Sequence, residues 1–191
     1  MIARSDTKTA LLNSAESAAR RFGFDGFSYA DLAKDVGIRK ASIHHHFPSK
    51  ADLSVALMER YHRNFQRICA EIDSGCETGG AKLQGLIRQY KEGSDNGRQL
   101  CLCVAFSASR DSLSPDVIKQ IGLFRGMVTE WLEKALEQGR KDGSVSGVHS
   151  PEREAVSVLS LLEGAQLLAR TDEDPAVFDQ AITLLTMRIC G

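Results

Sequence analysis

The sequence predicts an all-α protein in which an N-terminal three-helix module precedes a six-helix bundle. Apolar residues recur every three or four positions along almost all of the 191 residues. Three predicted helices begin with Ser or Asp followed directly by proline, which is typical of helix starts. None of the four prolines falls inside a predicted helix, where it would break backbone hydrogen bonds. A chain of this length buries enough apolar surface to fold without disulfides or metals.

The first two helices end at glycines. The first is predicted over about residues 6–22 and ends at Gly23. The second begins at Ser28, where Ser28 and Asp31 form a variant of the capping box. It ends at Gly37, since glycine adopts the left-handed conformation that often closes a helix.

The remaining helices follow the same periodic pattern. They are predicted at about residues 40–46, 50–73, 83–90, 100–106, 115–139, 151–170 and 175–190. The run Leu100–Phe106 is continuously apolar, so its own pattern suits a buried helix or a buried strand. Its helical surroundings favour a helix, which makes nine in all.

The segment Phe27–Phe47 carries the most specific pattern. Two short helices joined by a tight turn at Gly37 form a helix-turn-helix, and small Ala33 lets them approach closely. Its predicted inner face comprises Leu32, Val36, Ile38, Ile43 and Phe47. The second helix is then available to enter the major groove of DNA.

Residues 9–57 resemble the TetR family of bacterial transcriptional regulators. Residues 38–50 read Ile-Arg-Lys-Ala-Ser-Ile-His-His-His-Phe-Pro-Ser-Lys, similar to the family's usual Val-Ser-Lys-Gly-Ala-Leu-Tyr-His-Tyr-Phe-Pro-Ser-Lys. The resemblance implies a DNA-binding homodimer on a palindromic operator, usually a repressor released by a ligand. It assigns residues 1–49 to DNA binding and residues 50–191 to ligand binding and dimerisation.

The resemblance also assigns roles at the DNA surface. Base contacts are expected from Lys40, Ala41 and Ser42, and phosphate contacts from Ser28, His44 and Lys50. The ammonium of Lys50 and the amides at the start of its helix could share one phosphate. The complete predicted set is Ser28, Tyr29, Arg39, Lys40, Ala41, Ser42, His44, His45 and Lys50.

Three departures from the family pattern matter in the recognition helix and at its cap. Arg39 replaces the usual Ser or Thr cap, which costs about 1 kcal/mol of local stability. It is either simply exposed or a DNA contact that offsets the lost cap. Ala41 replaces glycine and slightly hinders backbone approach to a base. His44 and His46 replace tyrosines.

The three consecutive histidines do not predict a metal site. Adjacent helical residues point about 100° apart, so they do not readily converge on one ion. We expect His44 and His45 to face phosphates and His46 to pack near the helix end. Phosphate-facing imidazoles should bind DNA more tightly as the pH falls. No metal or other cofactor is expected.

The second part of the chain contains candidates for an effector pocket. They combine apolar bulk with a few polar groups, as small-molecule pockets do; ordinary core packing is the favoured explanation for any one of them, and the set is more credible than its members. They are His62, Phe65, Cys69, Tyr90, Cys101, Cys103, Phe106, Phe124, Met127 and Trp131. The expected effector is small and either apolar or electrophilic.

Cys101 is singled out by a further resemblance. It matches the position at which one branch of the family has a cysteine that senses electrophiles or oxidants. A helix N-terminus lowers the pKa of a thiol and so favours its reactive thiolate. The alternative is a small buried hydrophobe, which is common for free cysteine.

The last two predicted helices are candidates for the dimer face. A symmetric interface would follow if two copies used the same patch, whereas internal core packing is the competing explanation. The predicted interface residues are Val158, Leu161, Leu162, Ala165, Leu168, Phe178, Ile182 and Leu185.

Composition and charge exclude several classes of protein. A hydrophobic content of 42% with only four prolines excludes a mainly disordered chain. No apolar run is long enough for a membrane span, and five cysteines without an export signal indicate a reducing cytoplasm. Residues 1–67 carry a balance of +4 and the rest −5, which permits a polyanionic partner.

Two other functions were weighed against a regulator. Residues 75–82 nearly copy a phosphate-binding loop, but Ala81 stands where lysine is required and no strand precedes it. No other catalytic motif supports an enzyme, and we expect no enzymatic activity. The other alternative is a helix-turn-helix architectural or partner-binding protein without an effector. A solidly packed second domain would favour it.

Overall fold

The computed structural model describes residues 4–190, and this part of the chain is almost entirely helical. It contains ten α-helices, one short 3-10 helix at Arg110–Ser112 and a single isolated bridge between Val145 and Ile189. The α-helices are α1 (Arg4–Phe22), α2 (Tyr29–Val36), α3 (Lys40–His46), α4 (Lys50–Gly75), α5 (Gly79–Gly93), α6 (Leu102–Ser107), α7 (Pro115–Asp142), α8 (Pro151–Asp172), α9 (Pro175–Ala181) and α10 (Thr183–Thr186). The predicted all-α class is confirmed. Among the described helices, none is both long and apolar enough to cross a membrane.

Local capping explains why the helices begin where they do. Ser28 and Asp31 form a reciprocal capping box at α2, as predicted. Ser49 and Asp52 repeat it at α4, where the Ser49 amide donates to Asp52 Oδ2 at 2.9 Å and the Asp52 amide to Ser49 Oγ at 3.2 Å. Gly37 ends α2 with φ of 73°, which confirms its left-handed conformation.

The structure breaks the last predicted helix into two. Residues 175–190 were expected to be one helix, but the regular backbone stops at Ile182, which separates α9 from α10. The tail beyond is held by Arg188, which donates to the Ser146 and Gly147 carbonyls at 3.0 Å each and pairs with Glu154 at 2.6 Å. These contacts compete with helix continuation, so ten helices form instead of nine.

The chain divides into two compact units. One comprises the described residues through Arg63 together with Leu102–Phe124, and the other comprises Asn64–Cys101 and the residues from Arg125 onward. The boundaries of these two compact units therefore differ from the predicted functional boundary after residue 49. That functional boundary stays a prediction.

The first unit is built around aromatic contacts and one arginine clamp. Phe24 and Phe106 pack edge to face with ring centroids 5.6 Å apart, so α6 closes over the end of α1. Arg60 of α4 donates to the Leu12 carbonyl at 2.8 Å and pairs with Glu16 at 2.6 Å. The clamp joins α1 to the first half of α4 and completes the frame that carries α2 and α3.

The second unit uses its glycines for close helix packing. A Cβ on Gly79 would overlap the backbone of Gly139, so α5 and α7 approach more closely than other residues permit. The amides of Gly79 and Gly80 donate to Asp142 Oδ2 at 2.9 Å and Ser144 Oγ at 2.7 Å. These amides of the near-phosphate-loop sequence are thus engaged by side chains of the chain itself.

Candidate nucleic-acid interface and effector core

Helix α3 presents one side to solvent and the other to the core of its unit. Ile43 is 0% exposed and Phe47, just beyond the helix, is 3% exposed. The predicted base-contacting residues Lys40, Ala41 and Ser42 are all exposed. Arg39 is exposed at the N-cap and makes no capping hydrogen bond with its side chain, as its identity predicts. The exposed side of α3 is therefore available to a large partner.

Ser28 orders the start of α2 and stays exposed. Its hydroxyl donates to Asp31 Oδ2 at 2.6 Å, and its amide donates to the same oxygen at 2.8 Å. These bonds lower the pKa of the Asp31 carboxyl, because they favour its charged form. Ser28 therefore has a structural role independent of the predicted phosphate contact.

Tyr29 lies inside the module, and its predicted role in DNA binding stays a prediction. Its side chain is buried, and its hydroxyl donates to the carbonyls of Phe47 at 2.9 Å and Ser49 at 2.6 Å. Burial, with a smaller effect from Asp52, raises the pKa of Tyr29 to about 12. Tyr29 thereby links α2 to the segment between α3 and α4.

The Lys50 ammonium meets groups of its own module, and its predicted phosphate contact stays a prediction. Its ammonium donates to the Phe27 carbonyl at 2.6 Å and lies 4.6 Å and 4.2 Å from the ring centroids of Phe24 and Phe27. Burial lowers the pKa of Lys50, and the nearby charges of Asp25 and Asp31 partly oppose this. Its proton donors are thus directed to the module's own backbone and rings.

The three histidines have different surroundings. His44 Nδ1 lies 3.1 Å from the Pro48 carbonyl oxygen, and the His44 ring packs against the Tyr29 ring at 4.9 Å. His45 packs edge to face with His46 at 5.6 Å. His44 and His45 are exposed, whereas His46 is half-buried. No group of three metal-binding side chains occurs among the residues that the structure describes.

Six of the ten candidate effector residues belong to the second unit, and two of them are hydrogen-bonded to a buried glutamine. Gln166 of α8 accepts from the Cys101 amide at 2.8 Å and donates to the Tyr90 carbonyl at 2.7 Å. The Tyr90 ring packs against Phe65 with centroids 6.0 Å apart. Cys101 directly precedes α6 and is 1% exposed. We call Phe65, Tyr90, Cys101 and Gln166 the effector core.

Glu163 lies one turn before Gln166 and faces Cys101. Burial, followed by the charge of Cys101, raises the pKa of the Glu163 carboxyl to about 8, whereas Arg125 acts in the opposite direction. Its Oε1 atom is sealed from solvent and has no hydrogen-bond partner among the described residues. The carboxyl is therefore mostly protonated at neutral pH.

Cys69, Met127 and Trp131 line a separate open cleft between α4 and α7, with a volume of about 280 Å³. The Trp131 indole donates to Asp73 at 3.0 Å and so lies across one end of the cleft. Burial, with a smaller contribution from Asp73, raises the pKa of the Cys69 thiol to about 12. Cys69 is accordingly a weak nucleophile.

The remaining four candidates, His62, Cys103, Phe106 and Phe124, belong to the first unit. His62 packs edge to face on Phe124 with centroids 6.1 Å apart, and Phe106 and Phe124 are fully buried. Burial lowers the pKa of His62, with a smaller contribution from Arg63. The ten candidates thus form several clusters within the two units.

Sequence reasoning missed Gln166 and Glu163. Gln166 follows Leu159 and Leu162 on the stripe that α8 buries, and a glutamine inside an apolar stripe signals a buried polar contact. Glu163 gave no comparable signal, because an acidic residue in a helix is ordinarily exposed. The groups that shift its pKa, Cys101 and Arg125, lie far from it in the sequence.

The residues predicted to form the dimer face are mostly internal. Val158, Leu162, Ala165, Phe178, Ile182 and Leu185 are buried, and Leu161 is half-buried. Helices α8 and α9 pack against each other and bury apolar side chains of this set between them. Only Leu168 remains exposed, at 55%. Six of the eight residues thus lie in the core of this chain, as the competing explanation expects, and their part in a dimer face stays a prediction.

A different set of apolar side chains is exposed on α8 and directly after α9. These side chains are between 46% and 78% exposed and comprise Val156, Leu167, Leu168, Leu184 and Met187. We call this set the α8–α10 apolar set. Exposed large apolar residues concentrated on two neighbouring elements are typical of a surface that another molecule covers.

Known proteins resemble this chain in sequence and in structure. Residues 11–57 match the family model described as bacterial regulatory proteins, tetR family. The HTH-type transcriptional repressor NemR of Escherichia coli is 29% identical over 171 residues, which are 86% of this chain and 84% of NemR. A TetR family transcriptional regulator from Agrobacterium tumefaciens has a TM-score of 0.92 at 28% identity, covering 98% of this chain and 99% of its own. The reduced form of E. coli NemR has a TM-score of 0.80 at 27% identity, covering 97% of each chain.

Proposed function

Because this chain belongs to the TetR family of bacterial regulatory proteins, we propose that it represses transcription as a homodimer that leaves its operator when a small molecule binds. The proposal includes no catalytic step. It assigns operator binding to the exposed side of α3, dimerisation to the α8–α10 apolar set and effector binding to the second unit.

The observation that carries the proposal is how α3 is held. Ile43 anchors it from below, the Gly37 turn joins it to α2, and Tyr29 ties α2 to the segment that follows α3. The exposed side keeps Arg39, Lys40 and further polar side chains outward. A rigidly supported short helix with a basic outer side suits insertion into a major groove, where side chains read base edges.

Footprinting tests operator binding directly. The full chain is incubated with duplex DNA from the region upstream of its own coding sequence, and protected bases are mapped. A homodimer should protect two half-sites about 34–36 Å apart, or one turn of DNA. Lys40→Ala should weaken protection without loss of helical content, because Lys40 is exposed. Unprotected DNA at low salt would refute the proposal.

Dimerisation is supported by the α8–α10 apolar set. Leu184 and Met187 are 78% and 75% exposed, and leaving such side chains in water forgoes roughly 1.5–3 kcal/mol for each one that could be fully buried. A second copy can cover them through a two-fold symmetric interface. Two-fold symmetry would also match a palindromic operator.

Effector release requires a ligand that favours one conformation of the protein over the other. The effector core offers an aromatic wall from Phe65 and Tyr90 and a polar centre at Gln166. Repeating the footprint in the presence of candidate apolar or electrophilic compounds identifies an effector by the loss of protection. A solid second unit that binds no compound would favour the effector-free alternative.

An electrophile is the second candidate effector, because Cys101 lies at the start of α6. Cys101 is 1% exposed, so N-ethylmaleimide should modify it more slowly than the exposed Cys190. Modification of Cys101 should release DNA, and Cys101→Ser should resist that release. Complete modification of Cys101, confirmed by mass spectrometry, with unchanged DNA affinity would contradict this route.

A further inference from the structure

His44 lies on the outward side of α3. It follows Lys40 by four residues, about one helical turn, so their side chains share a face of the helix. Both residues are exposed, whereas the adjacent Ile43 is fully buried. His44 therefore belongs to the surface to which operator binding is assigned.

The surroundings of His44 select one form of its neutral ring. Nδ1 lies 3.1 Å from the Pro48 carbonyl oxygen, and a carbonyl only accepts hydrogen bonds. Nδ1 must then carry the hydrogen, which leaves Nε2 with a lone pair when the imidazole is neutral. The ring packs on Tyr29 at 4.9 Å, and Tyr29 is itself held by two backbone carbonyls. The contact to Pro48 thus determines the chemistry of the opposite ring nitrogen.

A phosphate oxygen, like a neutral Nε2, can only accept a hydrogen bond. The two can bond to each other only after Nε2 gains a proton, which also gives the ring a positive charge. We propose that His44 is a proton-dependent phosphate contact, and that operator binding favours the protonated form of His44 Nε2 in each subunit. The inference rests on the proposed DNA-binding function. Protonation of His44 would make the operator complex tighter at mildly acidic pH.

The groups around His44 indicate where competing pH effects could arise. Tyr29 from α2, with a pKa of about 12, is uncharged near neutral pH. The Asp52 carboxylate from α4 accepts from the amide and hydroxyl of Ser49. On α3 itself, Lys40 shares the face of His44, and the neighbouring imidazole of His45 is the main competitor. The test must therefore separate His44 from His45.

The expected effect follows from linked protonation. A phosphate contact that favours the protonated imidazole over the neutral one by about tenfold makes binding up to about tenfold tighter at pH 6 than at pH 8 for each subunit. Two subunits give up to about 100-fold. We would measure the affinity of the full chain for a fluorescein-labelled duplex of its own upstream DNA, at constant ionic strength, from pH 6 to pH 8.

Two matched variants locate the proton. His44→Gln supplies a neutral N–H donor that needs no protonation, so the difference between pH 6 and pH 8 should fall below about threefold. His45→Gln should change the affinity yet keep a difference of tenfold or more. Binding at every pH with no pH dependence in the wild type would overturn the inference and leave the repressor proposal intact. Dependence that survives His44→Gln but disappears in His45→Gln would also overturn it. Failure to bind at any pH would instead refute the DNA-binding proposal.

Discussion

Replacing Lys50 by methionine distinguishes the phosphate contact expected from sequence from the internal role seen in the structure. The ammonium donates to the Phe27 carbonyl at 2.6 Å and lies 4.6 Å and 4.2 Å from two aromatic ring centroids. A charged hydrogen bond contributes about 1.5–3 kcal/mol, and each exposed cation–π contact about 0.5–1 kcal/mol.

Several effects reduce the net loss. Methionine retains the apolar contacts of the lysine chain, and removing the ammonium also removes its desolvation, which lowers the pKa of Lys50 in the native protein. Because Lys50 is only half-buried, solvent screens part of the lost attraction. We expect Lys50→Met to lower the free energy of unfolding by about 1–2 kcal/mol. For a chain of this size that is a decrease in Tm of roughly 2–8 °C, measured by circular dichroism.

The salt dependence of DNA binding provides the second readout. If Lys50 contacted a phosphate in each subunit, Lys50→Met would reduce the slope of log affinity against log salt by about 1.8. The internal position predicts no such decrease. Lys40→Met is the matched variant, since Lys40 is exposed on α3 and should weaken DNA binding with little effect on Tm. An unchanged Tm together with a reduced salt slope in Lys50→Met would refute the internal role.

Three further predictions concern the second unit. Gln166→Leu removes the buried hydrogen bonds to Cys101 and Tyr90. It should lower the free energy of unfolding, measured by urea titration, by about 2–4 kcal/mol. A variant as stable as the wild type would show that these two bonds do not stabilise the fold. Since the pKa of Glu163 is raised from 4.5 to about 8 in the folded state, its contribution is fully present below pH 4.5 and is lost as the pH rises through 8. Wild-type stability should therefore fall relative to Glu163→Gln by up to about 1.4 kcal/mol per pH unit between pH 5 and pH 8, and parallel stability curves would exclude the raised pKa. Leu184→Glu should yield monomers by analytical ultracentrifugation with unchanged helical content, whereas an intact dimer would place the interface elsewhere.

The sequence by itself determined the helices and the helix-turn-helix, because those signals act over three or four residues. The pair Ser28–Asp31 caps its helix where predicted, the same spacing at Ser49 and Asp52 caps α4, and Gly37 makes the turn. Burial of Ile43 follows from the same local periodicity, which also leaves Lys40 on the exposed side of α3. These interactions depend on neighbours along the chain and so can be read from it.

Only the tertiary structure decided which distant groups these side chains contact. Lys50 and Tyr29 turn inward because carbonyls 18 to 23 residues away accept their hydrogen bonds. Gln166 is bonded to groups 65 and 76 residues away. Apolar periodicity marked Phe178 and Leu185 correctly as buried positions, but it does not distinguish a helix of the same subunit from one of another. That choice depends on long-range packing, which left Leu184 in solvent and Leu185 in the core.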